Sequence, residues 1–242
     1  MKRIHLETVC STNDEIKRLI GQGALPDLSC LTANNQTAAR GQRGNSWTSD
    51  AGKNIALSMY KQFQGLQISN QFMISMAVSL ALEEVFSSFL NDVSIKWPND
   101  IMVRGKKIAG ILIETGVIGN NISWAIIGIG VNVQQANFKG LPHASSFLLE
   151  GMASLHPETL LSKLLPVLET YVLQVEQTTY AEMRSQYEPK LFGFKTQKEF
   201  KEPGEQAFLA SVEGIDQNGA LRLKKATGIL SSYQLKEVSM VL

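Results

Sequence analysis

Apolar and polar residues recur along the first three quarters of the chain in patterns that predict helices mixed with strands. Apolar residues at helical spacing predict four helices, at Thr12 to Ile20, at Ser69 to Leu90, from near Pro157, and at Tyr180 to Tyr187. Thr12 and Glu15 have the S/T-x-x-E spacing of a capping box, so the first helix is expected to begin at Thr12. Ser69 is expected to cap the second helix.

Five shorter apolar runs between these helices predict strands, at Leu28–Ala33, Ile55–Tyr60, Val93–Trp97, Lys107–Ile113 and Ser123–Val133. The turns between the last three are too short to hold crossover helices, so this part of the sheet is expected to be antiparallel. From about Gly193 onward, glycine-bearing turns separate short strands, which is typical of a small barrel or sandwich. We therefore predict an α/β (α+β) domain over residues 1–193 and a small β-barrel over 194–242.

Composition narrows the classes of protein that this pattern allows. The 242 residues are 44% hydrophobic, which is enough for a sizeable core. The formal net charge of +1 argues against a surface built for DNA or an anionic membrane. No apolar run reaches the ~20 residues of a membrane helix, and the first residues do not form a signal peptide. The two cysteines and three histidines show no metal-ligand spacing, so no metal site is predicted and a cytoplasmic protein is expected.

The segment from Asn34 to Asn54 is the strongest candidate for chemistry outside the regular elements. It is polar, rich in glycine and longer than most loops, and loops of this length are usually functional or disordered. Arg40-Gly41-Gln42-Arg43-Gly44 offers two guanidinium groups and a backbone freed by glycine, which suits phosphate or carboxylate oxygens. A flexible basic surface loop is an equal alternative on this segment alone.

Three further segments concentrate chemistry-bearing residues. Lys96-Trp97-Pro98-Asn99-Asp100 places a lysine, an aromatic ring and an acid at a strand end, although an ordinary turn has a similar composition. Lys107 heads an apolar strand, where a lysine can neutralise charge on an anion or merely protect an edge. Gly128 and Gly130 lie on one face of an apolar strand and permit close approach by a ligand or another backbone.

Taken in this order, the segments resemble those of the biotin protein ligases. The loop from Gln36 to Trp47, the KWPNDI run from Lys96 to Ile101, the KIAGIL strand from Lys107 to Leu112 and the GIGVNV run from Gly128 to Val133 all resemble family motifs. The resemblance implies a catalytic domain related to class II aminoacyl-tRNA synthetases, with a mixed sheet, followed by a small SH3-like barrel. It covers nearly the whole chain.

The family resemblance implies two half-reactions. Biotin and ATP give biotinyl-5′-AMP and pyrophosphate, and a lysine of a biotin carboxyl carrier protein then takes the biotinyl group and releases AMP. Mg²⁺ is expected to screen the triphosphate. The implied biotin-binding residues are Ser11, Thr12, Asn13, Gln36, Arg40 and Gly110, and the implied ATP- or adenylate-binding residues are Arg43, Trp47, Lys96, Asn99, Lys107 and Asn132.

The same resemblance implies the catalytic residues Lys107, Arg40, Arg43 and Asp100. Lys107 is expected to contact the carboxylate and the α-phosphate, and Asp100 to orient the incoming lysine or help remove its proton. The chain departs from the family at Ala39, where glycine is usual, and at Gln42, where arginine is common. Gln42 is therefore expected to hold the adenylate less tightly.

Some members of the family carry an additional N-terminal DNA-binding domain. Ser11 lies only ten residues from the start of the sequence, so we expect the ligase-only type without DNA binding. The implied partner is the carrier protein of acetyl-CoA carboxylase or a similar carboxylase, and a homodimer is left open. The alternatives are a lipoate ligase or octanoyltransferase of the same superfamily, or a non-enzymatic nucleic-acid-binding protein.

Overall fold

A seven-stranded mixed sheet carries the segments singled out by the sequence. The structure is a computed structural model that describes residues 2–23 and 25–241, without the side chain of Arg43. The strands are β1 (Arg3–Val9), β2 (Cys30–Gln36), β3 (Ile55–Gln67), β4 (Val93–Lys96), β5 (Asp100–Val103), β6 (Lys106–Ile118) and β7 (Asn121–Val131). They lie in the order β1-β2-β3-β7-β6-β5-β4.

Only the β1–β2 pair is parallel in this sheet, and every other neighbouring pair is antiparallel. The expected antiparallel arrangement from β4 to β7 is confirmed. The sequence pattern did not predict β1 or β5. The edge strand β1 is largely exposed and has no apolar run, and β5 has only four residues directly after a proline-containing turn.

The described residues form four α-helices, α1 (Thr12–Gly21), α2 (Phe72–Ser87), α3 (Pro157–Gln174) and α4 (Tyr180–Tyr187). Residues of α2, α3 and α4 share one large buried cluster with β3, β6 and β7. Ile16 of α1 belongs to a smaller cluster with Leu31, Tyr60 and Ile126. The two clusters lie on opposite faces of the sheet, because successive side chains of a strand point to opposite faces.

The first helix begins at Thr12 as predicted but is capped by a different residue, and the second begins later than predicted. Ser11, not Thr12, is the N-cap of α1, and its hydroxyl accepts from the Asp14 amide at 3.4 Å. The expected Thr12–Glu15 capping box is wrong, because Thr12 turns inward to Gln36 and Glu15 pairs with Arg18. Ser69 lies in a short 3-10 turn, and α2 starts at Phe72 without a side-chain cap.

The last fifty residues form a second, antiparallel sheet. Its strands are β8 (Gln197–Lys201), β9 (Ala207–Ile215), β10 (Leu221–Lys225), β11 (Leu230–Tyr233) and β12 (Ser239–Met240), in the order β11-β10-β9-β8-β12. The expected SH3-like barrel is therefore corrected to an open five-stranded sheet over the described residues. The terminal strand β12 is two residues long and pairs only with β8, so it does not bond to β11 and close the sheet.

A turn of this second sheet contacts the first part of the chain closely. The Trp97 indole N–H donates to the Gly219 carbonyl at 2.8 Å, and the Tyr180 hydroxyl donates to the Asp216 carbonyl at 2.5 Å. The Ile215 amide donates to the Glu188 carboxylate at 2.9 Å. The predicted domain boundary near residue 193 stays a prediction, and these contacts join the two sheets.

In the described residues no helix is long and apolar enough to cross a membrane. The same part of the chain contains no group of three or more histidine, cysteine, aspartate or glutamate side chains placed to hold a metal ion. Cys10 is exposed and Cys30 is buried, and both are free thiols.

Tyr187 generates a stability prediction. Its side chain is fully buried and its hydroxyl has no hydrogen-bond partner among the described residues. A buried hydroxyl without a partner costs about 1–3 kcal/mol, so Tyr187→Phe is expected to raise the free energy of unfolding by about 1 kcal/mol in urea titrations. Tyr171→Phe is the control, because its hydroxyl donates to Glu84 at 2.7 Å and its loss is expected to bring no gain. A less stable Tyr187→Phe protein would contradict the prediction.

Candidate active site

An ion pair between Lys107 and Asp100 lies at the centre of the candidate site. Lys107 is near the start of β6 and Asp100 begins β5, and the two strands pair so that Asp100 faces Gly110. The Lys107 Nζ lies 2.6 Å from Asp100 Oδ1 and 5.3 Å from the centroid of the Trp47 ring. The backbone of Lys107 is fixed by bonds to the His143 carbonyl and the Ser145 amide. The lysine is therefore held in position while its amine still reaches open space.

A second lysine, Lys96, lies next to this pair. It ends β4 directly opposite Asp100 in the β4–β5 ladder. Burial lowers the pKa of Lys96, the positive charge of Lys107 acts in the same direction, and Asp100 opposes both. The site thus holds two amines around one carboxylate.

Buried polar side chains at the start of α1 form one wall of the site. Ser11, Thr12 and Asn13 are each less than 5% exposed. The Gln36 side-chain oxygen accepts from the Thr12 amide at 2.8 Å, and the Ser58 hydroxyl donates to Asn13 Oδ1 at 2.6 Å. Buried groups satisfied in this way have fixed orientations. The wall presents hydrogen-bonding groups in a defined geometry.

The loop that carries Arg40 folds back on itself over this wall. Arg40 forms an isolated β-bridge with Ser46, and Gln42–Gly44 forms a 3-10 turn between them. The Arg40 guanidinium pairs with Asp14, and it lies 3.5 Å from Glu114 Oε2. Arg43, also expected in this site, has its side chain outside the described residues. Arg40 is therefore held by carboxylates of α1 and β6.

Two glycines allow Trp47 to lie directly on the sheet. Gly110 of β6 and Gly130 of β7 are partners in the β6–β7 ladder. A Cβ atom at Gly110 would lie 3.0 Å from Trp47 Cζ3, and one at Gly130 would lie 2.7 Å from Trp47 Cε2. Gly128 does the same for Asn13, whose amide would overlap an added Cβ. Glycine spacing on β7 predicted close approach by a ligand or another backbone, whereas the groups that approach these glycines are side chains of the protein itself.

These elements enclose two adjoining cavities. The first cavity is narrow, about 60 Å³, and its lining includes Ser11, Thr12, Asn13, Gln36, Arg40, Trp47, Asn99, Lys107 and Gly110. The second cavity is larger, about 460 Å³, and its lining includes Trp47, Lys96, Asp100, Met102, Lys107, Asn132, Phe138, Leu141, Pro142, His143 and Ala144. Trp47 and Lys107 line both. Lys107 is therefore the charged group that connects the two spaces.

The structure brings the described candidate residues together around the two cavities, and one of them lines a different cavity from the one expected. All six residues expected to bind biotin line the first cavity, whereas Trp47, Lys96, Lys107 and Asn132 line the second. Asn99, grouped with the second set, lines the first cavity instead, because its side chain donates to the Ile111 carbonyl at 2.9 Å. Asn132 donates to the Ser145 carbonyl at 3.0 Å, and its side-chain oxygen is buried without a partner among the described residues.

Sequence reasoning missed three contributors to the site. Ser58 and Glu114 orient Asn13 from β3 and β6, and residues 138–144 form one wall of the second cavity. Ser58 and Glu114 are polar residues in largely apolar strands, and no sequence motif marks either of them. Residues 138–144 have no periodicity, so no signal in the sequence alone points to them.

Comparison with known proteins places the chain in a family. Residues 6–132, more than half of the chain, match the biotin/lipoate A/B protein ligase family. A biotin–[acetyl-CoA-carboxylase] ligase of Mycobacterium tuberculosis is 29% identical over 88% of this chain and 79% of that protein. A protein of the same name from Paracoccus denitrificans is 30% identical over 90% of this chain and 92% of that protein. The chain belongs to the biotin/lipoate A/B protein ligase family.

Solved structures share the fold. The biotin protein ligase of Aquifex aeolicus in complex with biotin and ATP superimposes with a TM-score of 0.75, at 23% identity, over 99% of this chain and 98% of that one. The expected mixed-sheet ligase fold is confirmed, and the expected SH3-like barrel is present as an open antiparallel sheet.

The stacking of Trp47 on glycine can be tested without any ligand. Gly130→Ala is expected to push the indole off the sheet into water, so tryptophan emission moves to longer wavelength while the fold is retained. Gly65→Ala is the matched control on β3, because no heavy atom lies within 4 Å of an added Cβ there. The red shift is expected to vanish when Trp47→Phe is combined with Gly130→Ala. Unchanged emission in Gly130→Ala would contradict the contact.

Proposed function

We propose that this protein is a biotin–[biotin carboxyl carrier protein] ligase, which activates biotin with ATP and transfers it to a carrier lysine. One observation carries the proposal. Lys107 connects a narrow cavity walled by buried hydrogen-bonding groups with a larger cavity that has room for a nucleotide. The Paracoccus denitrificans relative, which matches this chain over 92% of its own length, is named a biotin–[acetyl-CoA-carboxylase] ligase, and this supports the same activity here.

In the first half-reaction, a carboxylate oxygen of biotin attacks the α-phosphorus of ATP, and the bond from that phosphorus to the pyrophosphate oxygen breaks. Negative charge concentrates around the α-phosphate in the transition state. Lys107, between the two cavities, is in position to neutralise it, since a fixed cation in a partly buried site stabilises developing charge. Before the anion binds, the Lys107 Nζ is positioned by its ion pair with Asp100 Oδ1, at 2.6 Å.

The first cavity suits biotin. Thr12, Asn13 and Gln36 supply donors and acceptors for the ureido group, and Gly110 leaves room for an apolar ring. Trp47 covers this space in the ligand-free structure, so biotin entry requires the indole to move. Arg40 must leave Asp14 and Glu114 to reach a carboxylate or phosphate, and both pairs are exposed enough to break at low cost.

The second cavity suits the adenylate. The buried oxygen of Asn132, which has no partner in the described structure, is an acceptor for an amino group of the base. Mg²⁺ enters the proposal with the nucleotide, as MgATP. Asp100, the one carboxylate among the described residues that line this cavity, already pairs with Lys107, and no step is assigned to the metal.

The alternatives are less favoured. The matched family also includes lipoate ligases, but the relatives compared above are named for biotin. A nucleic-acid-binding role has no specific observation in its favour. The carrier protein of acetyl-CoA carboxylase is the proposed partner.

The proposed function is tested by mixing the protein with MgATP and biotin. Biotin-dependent release of pyrophosphate is expected, and octanoate or lipoate in place of biotin is expected to give little. Adding a carrier domain and probing it with streptavidin tests the transfer. Pyrophosphate release that is equal with lipoate would overturn the choice of biotin.

Lys107→Ala is expected to abolish adenylate formation while the protein stays folded. Removing a fixed charge of this kind costs about 10²–10³ in rate, measured as biotin-dependent pyrophosphate exchange. Lys106→Ala is the control, because Lys106 is the exposed neighbour and lines neither cavity. Exchange at the wild-type rate in Lys107→Ala would show that another residue neutralises the charge.

Gln42→Arg is expected to slow the release of biotinyl-5′-AMP. Gln42 lies in the lining of the first cavity, and a guanidinium there adds a charge-assisted contact to an anionic ligand, worth about 1.5–3 kcal/mol where it is buried. The measurement is the dissociation rate of preformed biotinyl-5′-AMP after dilution. Equal rates for the two proteins would contradict a role for Gln42 in leakage.

A further inference from the structure

A third cavity opens on the other side of Lys96. It encloses about 160 Å³ between the two sheets, and its lining includes Lys96, Asp100, Phe200, Val212, Leu221 and Ser239. Lys96 and Asp100 line this cavity and also the second cavity. The two spaces therefore meet at one amine and one carboxylate.

The residues that line the third cavity suit a lysine side chain. They are apolar except for Lys96, Asp100 and Ser239, and Ser239 is exposed. A lysine side chain is likewise an apolar stem that ends in an amine. A carrier lysine entering here would bring its amine to the edge of the second cavity, where the adenylate is proposed to lie.

Of the two polar side chains at this junction, one has an ion-pair partner and the other has none among the described residues. Asp100 is engaged by Lys107 at 2.6 Å. The Lys96 amine forms no hydrogen bond or direct ion pair with any described residue, although Asp100 and Lys107 act on it through their charges. Lys96 is thus the group at the junction with a free lone pair whenever it is neutral.

We propose that Lys96 is a further catalytic residue, which takes a proton from the ammonium of the carrier lysine as that lysine enters through the third cavity. The inference rests on the proposed function and concerns its second half-reaction. The proton moves from the carrier ammonium to the Lys96 Nζ, and the neutral amine attacks the acyl carbon of biotinyl-5′-AMP. The new C–N bond forms, the bond from that carbon to the phosphate oxygen breaks, and AMP leaves with the electron pair. The second amine proton passes to solvent, and the Lys96 ammonium lies beside the departing phosphate.

The surroundings of Lys96 favour this role. The charged or titratable groups that face it are Asp100 from β5, Lys107 from β6 and His143 from the wall of the second cavity. Apart from Lys96 and Asp100, the described residues that line the third cavity carry no ionisable side chain. Burial lowers the pKa of Lys96, Asp100 opposes this shift and Lys107 adds to it, and the net lowering raises the share of neutral amine. A base works best when its pKa lies near the working pH.

The test separates the two half-reactions in Lys96→Arg, which keeps the positive charge but cannot lose a proton near neutral pH. Because Lys96 also lines the second cavity, biotin-dependent pyrophosphate exchange is measured alongside and is expected to lose less than transfer does. Transfer from preformed biotinyl-5′-AMP to a carrier domain is expected to fall by about 100-fold or more at pH 7, the usual effect of losing a general base. Lys106→Arg, at an exposed position outside all three cavities, is the control and is expected to change neither.

Two further readouts distinguish a base from a structural role. Hydroxylamine, which is already neutral at pH 7, is expected to react with the adenylate equally fast in wild type and Lys96→Arg. Transfer to the carrier is expected to rise with pH in wild type, and to rise in Lys96→Arg only toward the ordinary lysine pKa of about 10.4. Asp100→Asn is expected to keep a rising pH profile.

Several results would overturn the inference. The first is a rate of carrier transfer in Lys96→Arg equal to that of wild type. The second is a loss of pyrophosphate exchange in Lys96→Arg as large as its loss of transfer. The third is a loss of the hydroxylamine reaction in Lys96→Arg as large as its loss of carrier transfer. A pH profile that flattens in Asp100→Asn would assign the base to Asp100. Failure of the proposed function is recognised separately, because wild type would then give no biotin-dependent pyrophosphate at all.

Discussion

The site depends on the register between β6 and β7, the two central strands of the large sheet. This register sets Gly110 opposite Gly130 and Leu112 opposite Gly128. The paired glycines clear one surface of the sheet, so Trp47 lies against the backbone and Asn13 approaches from α1. A slip of one residue would put Ile111 or Ile129 beneath the indole, since every side chain would change face. The apolar cluster beneath the sheet fixes the register and, with it, the space available to a ligand.

The two walls of the site differ in what holds them. The α1 wall is fixed by buried hydrogen bonds among Thr12, Asn13, Gln36 and Ser58, and breaking any of them leaves a buried polar group unpaired. The loop wall is fixed by ion pairs of Arg40, whose side chain is 45% exposed. Exposed pairs of this kind contribute about 0–1 kcal/mol. Ligand-driven movement is therefore expected in the loop and not in the helix.

The C-terminal sheet contacts the KWPND segment and forms part of the third cavity. Its turn at Gly219 accepts a hydrogen bond from Trp97, the residue between Lys96 and the proline of the same motif. The third cavity lies between the two sheets and ends at Lys96 and Asp100. One motif therefore faces the proposed adenylate on one side and the proposed route of the carrier lysine on the other. In the proposed mechanism, this one segment serves both half-reactions.

The sequence by itself determined the helices, the antiparallel strands around the motifs and nearly all of the proposed site residues. The spacing of apolar residues indicates which positions are buried. The polar residues of a run such as KWPND or GIGVNV lie within a few positions of one another, so the run can be recognised in the sequence. Tertiary structure alone decided the cap of α1, the open form of the C-terminal sheet and the roles of Ser58, Glu114 and residues 138–144. Ser11 caps α1 because Gln36, from a distant strand, competes for Thr12. The junction at Lys96 likewise exists only because two sheets meet there, and contacts between segments far apart in the chain leave no local pattern to read.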